Sequence, residues 1–344
     1  MPLLSVNDNG IYCEQGGFYI DPWRPVDSAI ITHGHADHSR YGHKKYLATD
    51  SAAPVIRHRL GEIELETVKY GEVRVLNGVK VSLHPAGHII GSAQIRVEYK
   101  GEIWVAAGDH KLADDGLCAP FEPVKCHYFI TESTFGLPVY KWKSQTETFE
   151  EVNEWWRTNA ENGVTSVIAG YALGKAQRIL QGVDPEIGPI LTHGAVENVN
   201  EVLRAQGVDL RPSQRVTKDT NKDLFKKALV ISTPGGTGSP WAKKFAPMSI
   251  GLCSGWMSLR GPRRRRSVDR GFVLSDHADW DELLQTVDLT GAQHIYVTHG
   301  YSGIFARYLR DQGYDAHELE TECEGELSEI GEGTIKDEKL EEAV

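Results

Sequence analysis

The sequence predicts an α/β protein with a second α/β unit inserted into the first. Short apolar runs of strand length lead to polar residues just past their carboxyl ends, where open α/β sheets normally place their sites. Most of these polar residues lie between positions 33 and 132, and the last two follow only after a gap of about 145 residues. Segments with strand and helix patterns fill that gap. With 344 residues, the chain can form one large domain or two smaller ones.

The first apolar run, at residues 28–31, leads into Thr-His-Gly-His-Ala-Asp-His-Ser at residues 32–39. Three imidazoles and a carboxylate within six residues form a pattern typical of metal sites. Side chains two apart in an extended segment point the same way, so His33 and His35 are expected to hold one ion. Asp37 and His38, on the turn beyond, are expected to face a second ion. A solvated histidine cluster has no reason to follow a buried strand.

The same arrangement of a strand followed by a ligand-type residue recurs along the chain. The run at 79–83 leads to His88, and the run at 103–107 leads to Asp109. The runs at 128–131, 272–275 and 295–298 lead to Glu132, His277 and His299. Chance would scatter such residues along the strands, so the pattern predicts that they form one active site.

The inserted unit is expected at residues 142–266. Helices are predicted over 149–159, 174–181 and 196–205, and strands over 165–169, 189–192 and 228–231. The predicted organisation is therefore a first domain at 1–141, the insert at 142–266, the second part of the first domain at 267–316, and an acidic, disordered tail at 317–344.

The net charge of −11 conceals an uneven distribution. The tail from residue 317 carries eleven acidic residues and two lysines, a net of −9. Residues 141–276 carry 20 Lys and Arg against 14 Asp and Glu, a net of +6, and include four consecutive arginines at 263–266. The middle of the chain is therefore expected to present a basic surface, which fits a polyanionic partner. A solvated charge run is the alternative for the arginines.

Composition also bounds the environment of the protein. No stretch approaches the roughly 20 apolar residues that cross a bilayer, and the first residues lack the pattern of a signal peptide. The five cysteines are odd in number and include no C-x-x-C pair, which fits reduced thiols. We expect a cytoplasmic protein with no membrane partner.

The H-x-H-x-D-H run, with His88, Asp109, Glu132, His277 and His299 in their local sequences, resembles the motif series of the β-CASP nucleases. These enzymes cut DNA or RNA, and the resemblance implies a metallo-β-lactamase αββα sandwich with an inserted α/β β-CASP domain. The segments at 17–26, 171–177, 254–257 and 260–266 resemble one bacterial branch, the Artemis-like, ligase-associated DNA exonucleases. This likeness runs from about residue 4 to residue 316.

The resemblance also implies roles for individual residues. One zinc ion is expected on His33, His35, His88 and Asp109. A second is expected on Asp37, His38, Asp109 and His299, so that Asp109 bridges the two. His277 is the candidate general acid, and Glu132 would hydrogen-bond its other nitrogen, with orientation of a ligand as the alternative role. Asp37, His277 and Glu132 are thus the expected catalytic residues. Manganese is the alternative metal, because His/Asp sites also accept it.

The implied function is a zinc-dependent DNA exonuclease, cutting from 5′ to 3′ in DNA repair in functional association with a DNA ligase and a helicase. Phosphate contacts are expected from Arg260, Arg263, Arg264, Arg265, Arg266 and Lys175. Glu132 in the Glu-Ser-Thr form and a histidine at 299 are similar to the RNA-processing branches, so an RNA nuclease is the alternative.

Two other classes of function remain open. A small-molecule metallo-hydrolase would explain the first motifs, but neither the basic insert nor the Glu132 and His277 pair. A non-catalytic scaffold that binds DNA would normally lack some of the ligands, and here the series is complete.

Overall fold

The computed structural model describes residues 2–259 and 268–321. It divides into two compact units, one of residues 2–141 with 277–321 and the other of residues 142–259 with 268–276. In the part of the chain described, no helix combines the length and the apolar composition needed to cross a membrane. Within these ranges, Cys13, Cys118, Cys126 and Cys253 are free thiols.

Residues 2–141 form one helix and many strands. In chain order these are β1 (Ser5–Asn7), β2 (Gly10–Cys13), β3 (Phe18–Ile20), β4 (Ser28–Ile30), β5 (Lys45–Thr49), α1 (Ala53–Leu60), β6 (Leu65–Val68), β7 (Arg74–Leu76), β8 (Val79–Pro85), β9 (Ala93–Tyr99), β10 (Glu102–Ala106) and β11 (Tyr128–Ser133).

The second unit alternates helices with strands. Its elements are α2 (Gln145–Glu161), β12 (Thr165–Ala169), α3 (Lys175–Gly182), β13 (Ile190–Thr192), α4 (Gly194–Ala205), β14 (Gln214–Arg215), β15 (Leu229–Ser232), α5 (Pro234–Gly238), β16 (Met248–Cys253) and β17 (Arg270–Phe272). Short 3₁₀ helices cover Lys222–Lys227, Pro240–Phe245 and Gly255–Ser258. The chain then returns to the first unit with α6 (Trp280–Thr290), β18 (His294–Gly300), α7 (Ser302–Asp311) and β19 (Asp315–Glu318).

The first unit is a sandwich of two mixed sheets. One sheet has the order β1-β2-β3-β4-β5-β6, and the other has the order β19-β18-β11-β10-β9-β8-β7. Apolar residues of both sheets, among them Phe18, Ile30, Val81 and Ile95, form one buried cluster between them. Each inner face is apolar because the alternation of side chains along a strand sends one set of residues to that face.

Helices cover the outer faces of both sheets. Ala53 and Ile56 of α1 pack with Ile31 and Ala48 at the first sheet. On the second sheet, Phe129 and Val297 pack with apolar residues of α6 and α7, including Leu283 and Phe305. The layers therefore run helix, sheet, sheet, helix, and the predicted α/β class with an αββα sandwich is confirmed.

The second unit contains one parallel sheet, in the order β14-β13-β15-β12-β16-β17. The strands predicted at 165–169, 189–192 and 228–231 correspond to β12, β13 and β15. The run at 272–275 had been assigned to the first domain. Instead, β17 pairs with β16 in the second unit, and the chain rejoins the first unit at His277. The return thus comes ten residues after the boundary predicted behind residue 266.

Candidate metal centre

The candidate ligands lie at the carboxyl ends of strands in the first unit. The segment after β4 carries His33, His35, Asp37 and His38, the loop after β8 carries His88, and Asp109 follows β10. Gly108 places Asp109, because its φ of +58° is a left-handed conformation and a Cβ atom there would lie 2.8 Å from the Thr32 side chain. The local backbone thus brings Asp109 beside the histidine-rich segment.

Four buried residues form the first ligand group: His33, His35, His88 and Asp109. His35 Nδ1 lies 3.1 Å from both His33 Nε2 and His88 Nε2, and Asp109 Oδ2 lies 3.6 Å from His33 Nε2. Nitrogens this close repel unless a proton or a cation lies between them. A tetrahedral zinc ion with bonds of about 2.0–2.1 Å separates its ligand atoms by about 3.3–3.4 Å. The spacing of these atoms therefore fits a metal ion.

A second group shares Asp109 with the first. It consists of His38, Asp109 and His299, and His299 Nε2 lies 3.0 Å from Asp109 Oδ1. His38 Nε2 is 3.5 Å from both Asp109 Oδ2 and Asp37 Oδ2. Asp37 therefore lies next to this group. The shared carboxylate gives the two groups the arrangement of a dinuclear site.

His38 provides the clearest sign that a cation fits here. Its buried Nε2 makes no hydrogen bond within the described residues, although three carboxylates surround the ring. Its Nδ1 lies 2.7 Å from Asp21 Oδ2, the pairing that commonly orients a metal-binding histidine. With Nδ1 engaged by Asp21, Nε2 is the atom left for a metal ion.

Asp21 also acts on His33, through Thr32. The Thr32 hydroxyl donates to Asp21 Oδ2 at 2.5 Å and lies 3.0 Å from His33 Nδ1. Because the hydroxyl proton points to Asp21, His33 Nδ1–H must be the donor to Thr32, and His33 Nε2 keeps its lone pair for the ligand group. One carboxylate thus sets the tautomer of a histidine in each group.

Burial and charge shift the pKa values of the cluster in opposite directions. Burial, helped by the charge of His38, holds the pKa of His33 well below its usual value. Burial also lowers the pKa of His38, but Asp37 and Asp109 outweigh it and hold that pKa well above the usual value. Burial raises the pKa of Asp109, yet the positive charges of His38 and His277 hold it well below its usual value. The carboxylate is therefore ionised at neutral pH.

Glu132 and His277 form a buried pair beside Asp109. His277 Nδ1 lies 2.9 Å from Glu132 Oε2 and 4.0 Å from Asp109 Oδ2. Glu132 also accepts the backbone N–H of His110 at 2.9 Å and the Thr134 hydroxyl at 2.5 Å. Burial raises the pKa of Glu132, but the charge of His277 outweighs it and lowers that pKa. With its oxygens so engaged, Glu132 is better suited to orient His277 than to bind a metal ion.

A small cavity adjoins the second ligand group. His38, Glu132 and His299 contribute to the lining of a cavity of about 40 Å³ in the first unit. A space of this size holds water. The cavity can therefore hold water beside His38 and His299 of the second group.

Known proteins resemble this chain over most of its length. It is 29% identical over 321 residues to a "Probable DNA ligase" of Opitutus terrae, a match that covers 92% of this chain and 31% of the relative. It is 24% identical to "Endoribonuclease YSH1" of Kluyveromyces lactis (71% of this chain, 39% of the relative) and 27% identical to an "RNase J-like protein" of Methanocaldococcus jannaschii (52% and 50%). No model of a known protein family matches the chain.

These relatives, together with the motif series at one site, support the resemblance to the β-CASP nucleases. The chain is similar to β-CASP proteins of the metallo-β-lactamase fold. The resemblance stated from the motifs is confirmed at this level. The chain spans half or less of the length of each of these three curated relatives.

A solved structure supports the fold of this protein. A protein of unknown function from Enterococcus faecalis V583 matches with a TM-score of 0.58 at 12% identity, over 78% of this chain and 74% of that one. At this identity the match bears on the fold alone.

The predicted phosphate contact at Lys175 needs correction. Its side chain is completely buried in the second unit, with Nζ 3.5 Å from Asp276 Oδ2 and 4.4 Å from the ring centre of Tyr171. A buried ammonium paired with a carboxylate is not available to a phosphate in this conformation. The other predicted contacts, Arg260, Arg263, Arg264, Arg265 and Arg266, lie outside the described residues.

Sequence reasoning missed Asp21 and Thr134, which hold His38 and Glu132. A signal for Asp21 was present, because this acidic residue directly follows the apolar strand β3, as Asp109 follows β10. Thr134 gave no such signal, since a hydroxyl residue after a strand has many ordinary roles.

Proposed function

We propose that this protein is a metal-dependent nuclease that hydrolyses phosphodiester bonds of DNA. The observation that best supports it is the convergence of two ligand groups and a paired histidine on Asp109. A small-molecule hydrolase would need neither the basic insert nor the pair of Glu132 and His277, and a non-catalytic scaffold would not need the complete ligand set.

In this proposal, His33, His35, His88 and Asp109 hold one zinc ion. Asp37, His38, Asp109 and His299 hold a second, and manganese is the alternative metal. Two divalent ions at such sites neutralise the phosphate oxygens and make an attacking water a stronger nucleophile.

His277 then supplies the proton that the leaving 3′ oxygen requires. Glu132 engages Nδ1, which leaves Nε2 for the substrate. The carboxylate also favours the protonated ring, because a negative charge 2.9 Å away stabilises an imidazolium. Asp37 and Asp109 supply the negative charge of the proposed ligand set.

The DNA substrate is supported by the likeness to a protein named as a probable DNA ligase, which extends over 92% of this chain. On this basis we propose a 5′ to 3′ exonuclease of DNA repair that is functionally associated with a ligase and a helicase. RNA cleavage is the second candidate, supported by the names of the endoribonuclease and RNase J-like relatives.

The test is cleavage of end-labelled DNA and RNA, single-stranded and duplex, with and without a 5′ phosphate, in zinc or manganese. We expect stepwise shortening of DNA from the 5′ end, lost on chelation and in Asp37→Ala. Cleavage of RNA alone would replace the DNA proposal with the RNA one. Turnover of esters or thioesters without any nucleic-acid cleavage would overturn both.

A further inference from the structure

The loop that carries four of the candidate ligands is held at both ends by one guanidinium group. Arg59 NH1 donates to the Gly34 carbonyl at 2.8 Å and to Ser39 Oγ at 2.6 Å. Ser39 Oγ in turn donates to the carbonyl of His35 at 2.9 Å. Through these bonds, Arg59 links the beginning of the 33–39 loop to its end, next to the ligand His35.

Arg59 extends from an element that is fixed relative to this loop. It lies in the last turn of α1, whose residues Ala53 and Ile56 are buried against Ala29 and Ile31. Ala29 belongs to β4, and Ile31 lies just ahead of the loop. The helix and the loop are thus anchored on the same sheet, so the Arg59 contacts can define the position of the loop.

The charge of Arg59 is unfavourable for the metal centre by itself. A guanidinium beside a site for divalent cations repels them, so electrostatic attraction does not explain its presence. Its planar NH1 group does explain it, because the two N–H bonds of this nitrogen point to two acceptors at fixed angles. Lysine would keep the charge but not this geometry.

We propose that Arg59 is a positioning residue of the metal centre, which holds the 33–39 loop so that His33 and His35 face His88 and Asp109. The inference rests on the proposal that these residues bind metal. It does not depend on whether the substrate is DNA or RNA.

The experiment measures zinc affinity by competition with a chromophoric chelator, for the full chain and for Arg59→Ala, Arg59→Lys and Arg57→Ala. Residues that orient metal ligands typically change metal affinity about 10- to 100-fold when they are removed. We therefore expect both Arg59 variants to bind zinc more weakly by about that factor. Arg57 is the matched control, since it lies on the same turn and donates to the Leu65 carbonyl at 3.0 Å, away from the loop.

The two explanations of Arg59 predict opposite changes in zinc affinity. If Arg59 acts only as a nearby charge, Arg59→Ala removes a repulsion and zinc binds as tightly as before or more tightly, with Arg57→Ala shifting the same way. If Arg59 positions the loop, Arg59→Ala and Arg59→Lys weaken binding and Arg57→Ala does not. Thermal unfolding of the metal-free variants shows whether a loss of affinity only reflects a loss of stability.

Failure of the inference can be told from failure of the proposed function. An unmodified chain that binds no zinc or manganese overturns the proposed metal centre. An unmodified chain that binds zinc, with Arg59→Ala equal to it or tighter, overturns the role of Arg59 alone. If Arg59→Ala does not fold, Arg59→Lys decides, because it keeps the charge: zinc affinity equal to that of the unmodified chain would overturn the role of Arg59, and weaker binding would support it.

Discussion

Asp109 makes more contacts with the candidate ligands than any other carboxylate described at the site. Its oxygens lie within 4.0 Å of nitrogens of His33, His38, His88, His277 and His299. A set of imidazoles without such a charge would not hold two dications close together. The two ligand groups therefore depend on one ionised side chain.

The first prediction concerns His277. His277→Ala should keep both metal ions and bind nucleic acid, because His277 belongs to neither ligand group that the proposal assigns to zinc. Its cleavage rate should fall about 10²- to 10⁴-fold, since a general acid contributes that much. Single-turnover cleavage with metal analysis of the same sample measures both properties. Near-normal cleavage would rule out His277 as the acid.

The second prediction concerns Asp21, which engages His38 directly and His33 through Thr32. Asp21→Ala should weaken zinc binding about 10- to 100-fold, because both rings lose the partner that fixes their tautomer. Asp27→Ala is the matched control, since Asp27 is 82% exposed and its ion pair is with the exposed Lys44. Equal zinc affinity in the two variants would contradict this role.

At the scale of single residues, the sequence predicted those that a local sequence pattern identifies. The candidate metal ligands follow strands in recognisable spacings, so the sequence alone could propose the set. Asp21 was missed because its position after β3 is its only signal, and no second ligand-type residue stands at a metal-site spacing from it. Lys175 was assigned to phosphate because its burial depends on Asp276, a residue about a hundred positions later.

Among the elements, prediction succeeded where a pattern was complete within one segment. The strand expected over 165–169 coincides with β12, and the helix expected over 149–159 forms the middle of α2. The strand β16 was missed, because Met-Ser-Ile-Gly-Leu-Cys has neither a clean alternation nor a β-branched run. Its partner β17 was then assigned to the first domain, since strand pairing is not visible in a single segment.

The third prediction concerns Glu197 on α4. Burial raises the pKa of Glu197, but hydrogen bonds from Ser213, Thr192, Arg204 and Asn200 lower it further than burial raises it. A carboxyl group whose pKa is lowered on folding stabilises the protein above its unfolded pKa, about 4.3, and loses this contribution as the pH falls through the folded value. Glu197→Gln should therefore lower stability at pH 7, and stability should then fall less on acidification below about pH 4.

Denaturant unfolding between pH 3 and pH 7 measures this effect. Removing charge-assisted hydrogen bonds at Glu197 should cost about 1–3 kcal/mol at neutral pH. Glu201→Gln on the same helix is the control, because Glu201 is 63% exposed and its pairing with Arg215 at 3.3 Å should contribute little. A pH dependence in Glu197→Gln equal to that of the unmodified chain would refute the account of this residue.

At the scale of the whole molecule, the charge distribution leads to the fourth prediction. Changing Arg263, Arg264, Arg265 and Arg266 together to alanine should weaken nucleic-acid binding and flatten its dependence on salt. Each lost phosphate contact on duplex DNA should reduce the slope of log affinity against log salt by about 0.9. A charge-matched control replaces Lys218, Lys222, Lys226 and Lys227, which are exposed. Equal slopes for both quadruple variants would leave the arginine run as ordinary solvated surface.

The central claim is that the side chains around Asp109 bind metal ions and that the protein hydrolyses nucleic acid at this site. The most direct measurement is a zinc or manganese titration of the metal-free chain, with bound metal and cleavage of end-labelled DNA and RNA followed together, beside Asp109→Asn. We predict that cleavage appears as two ions bind per chain, and that Asp109→Asn neither retains both ions nor cleaves. Undiminished cleavage by the metal-free chain, or by Asp109→Asn, would contradict the claim.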